Sequence, residues 1–108
     1  MYSRNAFFLG QPALGAEDKF RTGLEAGAAQ YAKLPGVLSA HLEFPLSKDK
    51  GAPDIYATIR MVFASEQDIE RALSSPQRQT VRAAFAGTVM PLFEGTVVHV
   101  NNCGIDFE

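Results

Sequence analysis

The stretch Ile55-Tyr56-Ala57-Thr58-Ile59-Arg60-Met61-Val62-Phe63 alternates along its whole length. Ile55, Ala57, Ile59, Met61 and Phe63 fall on one face of an extended chain, and Tyr56, Thr58, Arg60 and Val62 on the other. Such a run reads as a half-buried β-strand. On its N-terminal side, Val37 to Phe44 alternates in the same way, with Leu38, Ala40, Leu42 and Phe44 against Ser39, His41 and Glu43. A polar loop around Lys48-Asp49-Lys50-Gly51 joins the two. Keeping Leu42 and Ile59 on one face places His41 opposite Arg60 and Glu43 opposite Thr58. On the C-terminal side, Ser65-Glu66-Gln67-Asp68 opens a helix, because a Ser hydroxyl accepts from the free N–H groups of the first turn. Ser75-Pro76 then reads as a restart, a cap followed by Pro at the first helical position. Ile69, Ala72 and Leu73, then Val81, Ala84 and Phe85, supply the apolar stripe.

Further out, Asn5 to Leu9 is short and aromatic and is closed by Gly10-Gln11-Pro12, which predicts a buried strand. Phe20, Leu24, Ala28 and Tyr31 recur at helical spacing, with Gly23 and Gly27 on the same side. A helix is expected from Ala16 to Lys33, with Glu17 and Asp18 where the dipole favours carboxylates. Leu34-Pro35-Gly36 ends it. The small residues on its inner side are read as leaving modest room above the sheet. Gly95 to Cys103 is a last strand, with Val98 and Val100 on one face and Val97, His99 and Asn101 on the other. The order is βαββαβ, an α+β ferredoxin-like chain. Its antiparallel sheet has the spatial order 4-1-3-2 and both helices on one face.

Composition bounds what such a chain does. Its 108 residues suit a single domain spanning 1–108. A formal net charge of −2 offers no basic field for nucleic acid or an anionic membrane. An RNA-recognition motif shares this topology, but it needs aromatics in a basic context on the central strands, which Tyr56 and Arg60 imitate poorly. The one cysteine, Cys103, excludes an intrachain disulfide. No apolar run approaches the ~20 residues of a membrane span, and the first residues carry no apolar signal core. A cytoplasmic protein is the expectation.

Helices on one side leave the other sheet face open to water or to a partner. The open face predicted here is His41, Glu43, Tyr56, Thr58, Arg60, Val62, Val97, His99 and Asn101, and two such faces packed together would close a dimeric barrel. His41 and His99 are candidate acid/base groups. They sit on the same predicted face but on opposite edge strands, roughly 14 Å apart at ~4.8 Å per strand spacing, so one subunit cannot place both on one metal ion. No metal site is expected. Arg60 reads either as an anion or carbonyl clamp beside His41, or as an ion pair with Glu43, which is favoured. Between helices and sheet, Phe7, Phe20, Tyr31, Met61, Phe63 and Phe85 are candidates to line an apolar pocket, with plain core packing as the simpler reading.

Glu17 to Phe20 at the start of the first helix, Tyr31-Ala32-Lys33-Leu34-Pro35-Gly36-Val37, Phe63-Ala64-Ser65 and Ala72-Leu73-Ser74-Ser75-Pro76 resemble the EthD family of the dimeric α+β barrel superfamily. The resemblance runs from about Asn5 to Asn101. It implies a homodimer built through the open sheet faces, with small-molecule pockets between sheet and helices. Superfamily relatives include small monooxygenases, cyclases, dehydratases and stress-response proteins. The chain departs from the family at Ala26-Gly27-Ala28-Ala29, where members often carry His-x-Pro-Leu. The resulting expectation is a cofactor-free homodimer that binds a small apolar or carbonyl-bearing metabolite. Two alternatives stand beside it: a polyketide- or quinone-modifying enzyme using His acid/base chemistry, and a non-catalytic structural or stress-response dimer.

Overall fold

The computed structural model describes residues 1–108. Four strands, β1 (Tyr2–Pro12), β2 (Val37–Glu43), β3 (Ile55–Phe63) and β4 (Phe93–Cys103), form one antiparallel sheet in the order β2-β3-β1-β4. Helices α1 (Glu17–Tyr31), α2 (Glu66–Leu73) and α3 (Pro76–Thr88), with a single 3₁₀ turn at Met90–Leu92, account for the rest. This is the expected ferredoxin-like α+β topology, with the second helix divided in two. The division lies where Ser75-Pro76 places it. The Ser65 hydroxyl accepts from the Asp68 N–H at 3.1 Å to start α2, and the Ser75 hydroxyl accepts from the Arg78 N–H at 3.1 Å to start α3.

The core forms two clusters. Phe8, Phe20, Leu24, Ala57, Ile59 and Phe93 belong to the first, and Leu34, Met61, Phe63, Ile69 and Ala72 to the second. Phe20 and Phe93 stack at 4.8 Å, joining α1 to the start of β4. Burying each such ring contributes roughly 1.5–3 kcal/mol. Helix α3 behaves differently from α1 and α2: none of its residues is buried. It leans on α1 and on the 3₁₀ turn and stands off the sheet.

Two irregularities re-aim side chains. Phe8 pairs with Ala57 and the next residue, Leu9, pairs with Ile55, so Tyr56 is an extra residue on β3. A bulge of this kind turns its extra residue out of the alternation. Tyr56 therefore packs on the helix side, 5.6 Å from the Phe20 ring and 6.0 Å from Phe44, and does not face outward as the alternation predicts. In β2, Val37 pairs with Phe63 and Ser39 with Val62, which leaves Leu38 unpaired and 66% exposed. Val37 takes the place against the second cluster that the alternation assigns to Leu38.

The small residues of α1 admit a neighbour and do not leave room. A Cβ at Gly27 would lie 2.7 Å from two carbons of the Phe85 ring, and one at Gly23 would lie 2.8 Å from Val89 Cγ2. Phe85 and Val89 thus seat α3 and its C-terminal end against α1. A second glycine requirement lies at the far end of the sheet, where Gly10 faces Gly95. Both have positive φ, and a Cβ on either would run into the carbonyl oxygen of the opposing strand.

Candidate functional site

Because α3 stands off the sheet, its inner side and strands β3, β1 and β4 border a partly open cavity of about 590 Å³, within the usual range for small-ligand sites. Phe8, Ile59 and Phe85 border it from the first core cluster, and Tyr31, Met61 and Leu73 from the second. The space lies between the two clusters, where the Tyr31 and Phe85 rings are 6.3 Å apart. Its polar side chains are Arg4 from β1, Arg78 and Arg82 from α3, Tyr31 from α1, and Thr96 and His99 from β4. No Asp or Glu lines it.

Each of these polar groups is placed by a simple rule. Arg78 and Arg82 are four apart and share a helix side. Arg4 and His99 reach the cavity through strand register, since Arg4 pairs with Asn101 and Ala6 with His99. Arg4 Nη1 donates to Asn101 Oδ1 at 2.9 Å, which fixes that end of the guanidinium. Arg78 Nη1 donates to the Leu73 carbonyl at 3.4 Å.

The electrostatics follow from crowding cations into an apolar lining. Burial, followed by the charges of Arg4, Arg78 and Arg82, holds the His99 imidazole below its ordinary value. At neutral pH it is therefore the uncharged ring. Burial and the nearby Arg78 also push the Arg4 guanidinium down, although an arginine remains protonated at any physiological pH. Burial pushes the Tyr31 phenol up against the opposing pull of the same arginines, so it stays a hydroxyl donor. The arrangement can accept a negative group, donate hydrogen bonds to an oxygen, and offer one neutral base.

Several expected positions change. Val97, His99 and Asn101 face the helices; Val98 and Val100 face outward and are 42% and 44% exposed. The face is set by Phe93, which is buried against Phe20, so every second residue after it points the same way. Val97 and Asn101 are thereby removed from the open face, as Tyr56 is by its bulge. His41 and His99 consequently lie on opposite faces. Phe7, opposite Thr58, is on the open face and not in the pocket. Phe20 and Phe63 are fully packed core residues, whereas Tyr31, Met61 and Phe85 do line the cavity.

On the open face, His41 pairs with Arg60 and Glu43 with Thr58, as the alternation requires. Arg60 Nη2 lies 3.9 Å from Glu43 Oε2, a loose contact of partly exposed groups that contributes little to stability. His41 Nε2 is 3.1 Å from the Ser39 hydroxyl. Sequence reading alone misses Arg4, Arg78 and Arg82. The pair at 78 and 82 is visible as an i,i+4 repeat beside the apolar stripe, but Arg4 lies before the expected start of β1.

No family model matches the chain, and no curated protein is similar to it in sequence. Solved structures are similar in shape. An EthD family protein from Bacillus halodurans superposes with a TM-score of 0.74 at 12% identity, covering 97% of this chain and 99% of that one. A DABB family protein with a ferredoxin-like fold from Mesorhizobium loti gives 0.69 at 13% identity, covering 97% and 98%. A point mutant of SnoaB, a cofactor-independent oxygenase from Streptomyces nogalater, gives 0.60 at 20% identity, covering 98% and 93%. The likeness extends over whole chains at low identity, and it shows that this chain has the ferredoxin-like fold common to EthD, DABB and oxygenase-type proteins.

Proposed function

We propose that this chain is an EthD-type small-molecule-binding protein whose ligand, a mainly apolar or carbonyl-bearing metabolite, occupies the cavity beneath α3. One observation carries the reading: a space of about 590 Å³ with an apolar lining and a few convergent polar groups. The test is thermal unfolding with a panel of small aromatic ketones and phenols, because a ligand that binds only the folded state raises Tm. Ala6→Leu extends a side chain from the central strand into the space and should abolish any rise. A rise that survives the filling would place the ligand elsewhere.

The same reading includes a homodimer through the open sheet face. Its support is that Val98 and Val100 are exposed beside Phe7 and Leu9 on a face that no helix covers. Sedimentation at micromolar concentration should give twice the chain mass; a monomer would contradict the pairing.

A second reading, an enzyme acting on a quinone- or polyketide-like substrate, is favoured by the uncharged His99 on the cavity wall. His41 and Arg60 lie on the other face of the sheet, so this reading rests on His99 as the base. SnoaB, one of the similar structures, is a cofactor-independent oxygenase. Loss of turnover of a hydroxynaphthoquinone probe in His99→Ala, with binding retained, would support it. Unchanged turnover would remove it.

A further inference from the structure

The arginines of this chain divide into two groups. Arg60 lies beside Glu43, Arg71 lies 3.4 Å from Asp68, and Arg21 covers the Phe44 ring at 3.9 Å. Arg4, Arg78 and Arg82 line one cavity, and none has a carboxylate partner. Their only hydrogen bonds from the guanidinium are to the Asn101 amide oxygen and the Leu73 carbonyl, both neutral acceptors. Three like charges beside an apolar space repel one another, and a negative group among them would offset that repulsion.

We infer that the cavity takes an amphiphilic carboxylate, with its charged head between Arg4, Arg78 and Arg82 and its apolar body against Phe8, Ile59, Met61 and Phe85. This rests on reading the cavity as a ligand site and narrows the ligand class there. The residue type points the same way. A guanidinium presents a planar fork that matches a carboxylate with two parallel hydrogen bonds, and it sheds its water more readily than an ammonium. The apolar part of the lining favours an occupant with an apolar body over a free inorganic anion, which would leave that wall facing water. Tyr31, from the α1 side, adds a neutral donor to the same space.

The test compares 2-naphthoate with 2-naphthamide, which share a shape and differ in charge, by isothermal titration of the whole chain at low salt. Naphthoate should bind about tenfold more tightly or better, because charge-assisted hydrogen bonds are the stronger kind. Arg82→Gln, at an exposed helix position, should weaken naphthoate severalfold and naphthamide less, because only the carboxylate loses a charge-assisted bond. Arg4→Gln with Arg78→Gln should erase the preference, with circular dichroism as the folding control. Inorganic phosphate at millimolar concentration should compete only weakly, and strong competition would overturn the amphiphilic assignment. Equal affinity for the two probes would overturn the carboxylate while leaving the cavity as a ligand site. Failure of both probes to bind would overturn both readings.

Discussion

Replacing Gly27 by Ala tests whether Phe85 is held where it borders the cavity. The new Cβ would lie 2.7 Å from Cδ2 and Cε2 of Phe85, where ordinary contact begins near 3.4 Å. Two effects oppose each other. Alanine in place of a mid-helix glycine stabilises α1 by about 1 kcal/mol. Overpacking against a seated ring costs about 1–3 kcal/mol, at the lower end here because the ring can shift toward the empty space beneath α3. The net expectation is a destabilisation of roughly 0–1 kcal/mol, together with weaker binding of a cavity probe as the ring moves inward. The sign should reverse once the ring is removed. In a Phe85→Ala background only the helix-propensity gain remains, so Gly27→Ala should stabilise by about 1 kcal/mol. The coupling between the two positions is then about 1–2 kcal/mol, read from urea unfolding of the four proteins by circular dichroism. Equal stabilisation by Gly27→Ala in both backgrounds would refute the contact between α1 and α3 on which the cavity depends.

Ser75→Ala should cost about 1 kcal/mol in urea unfolding by removing the cap of α3, and because Arg78 supplies the capped N–H, probe affinity should fall with it; no change in either quantity would contradict the assigned cap. His99 should titrate by NMR below its ordinary 6.5, since burial and then Arg4, Arg78 and Arg82 disfavour the charged ring. The unfolded chain binds the proton more readily, so this contribution to stability is fully present above about pH 6.5 and is lost as pH falls toward the folded-state value. A midpoint at or above 6.5 would contradict the buried, cationic surroundings. A bound carboxylate should raise that midpoint. Val98→Lys with Val100→Lys places two charges on the open face and should convert a sedimenting dimer to monomer without altering the helical signal; an unchanged dimer would move the interface elsewhere.

The elements of the fold were legible because each carries a local signal of its own. Alternation marked β2 and β3, Ser65 and Ser75 marked the two helix starts, and a common face for Leu42 and Ile59 gave the His41–Arg60 register. The faces were harder to read where one residue shifts the phase. Tyr56 and Leu38 are bulged, and a bulge has no signature in the alternation it interrupts. β4 begins at Phe93, two residues before the Gly95 from which its alternation reads as a strand. Phe93 is the residue that anchors its phase, and Val97, Val98 and Val100 point to neither face unambiguously. The cavity was the least legible feature. It arises because α3 stands away from the sheet, and that distance is a property of three packed elements together. The arginines that characterise it come from β1 and from α3, and only the folded chain brings them to one space.

The most direct test of the cavity as the ligand site is a ¹H–¹⁵N correlation spectrum recorded while 2-naphthoate is titrated into the protein. The amides of Ala6, Phe8, Phe85, Ala86 and His99, which border the space, should shift together and saturate with a single affinity. Shifts confined to Phe7, Leu9, Val98 and Val100 on the open face, or an unperturbed spectrum, would contradict the account.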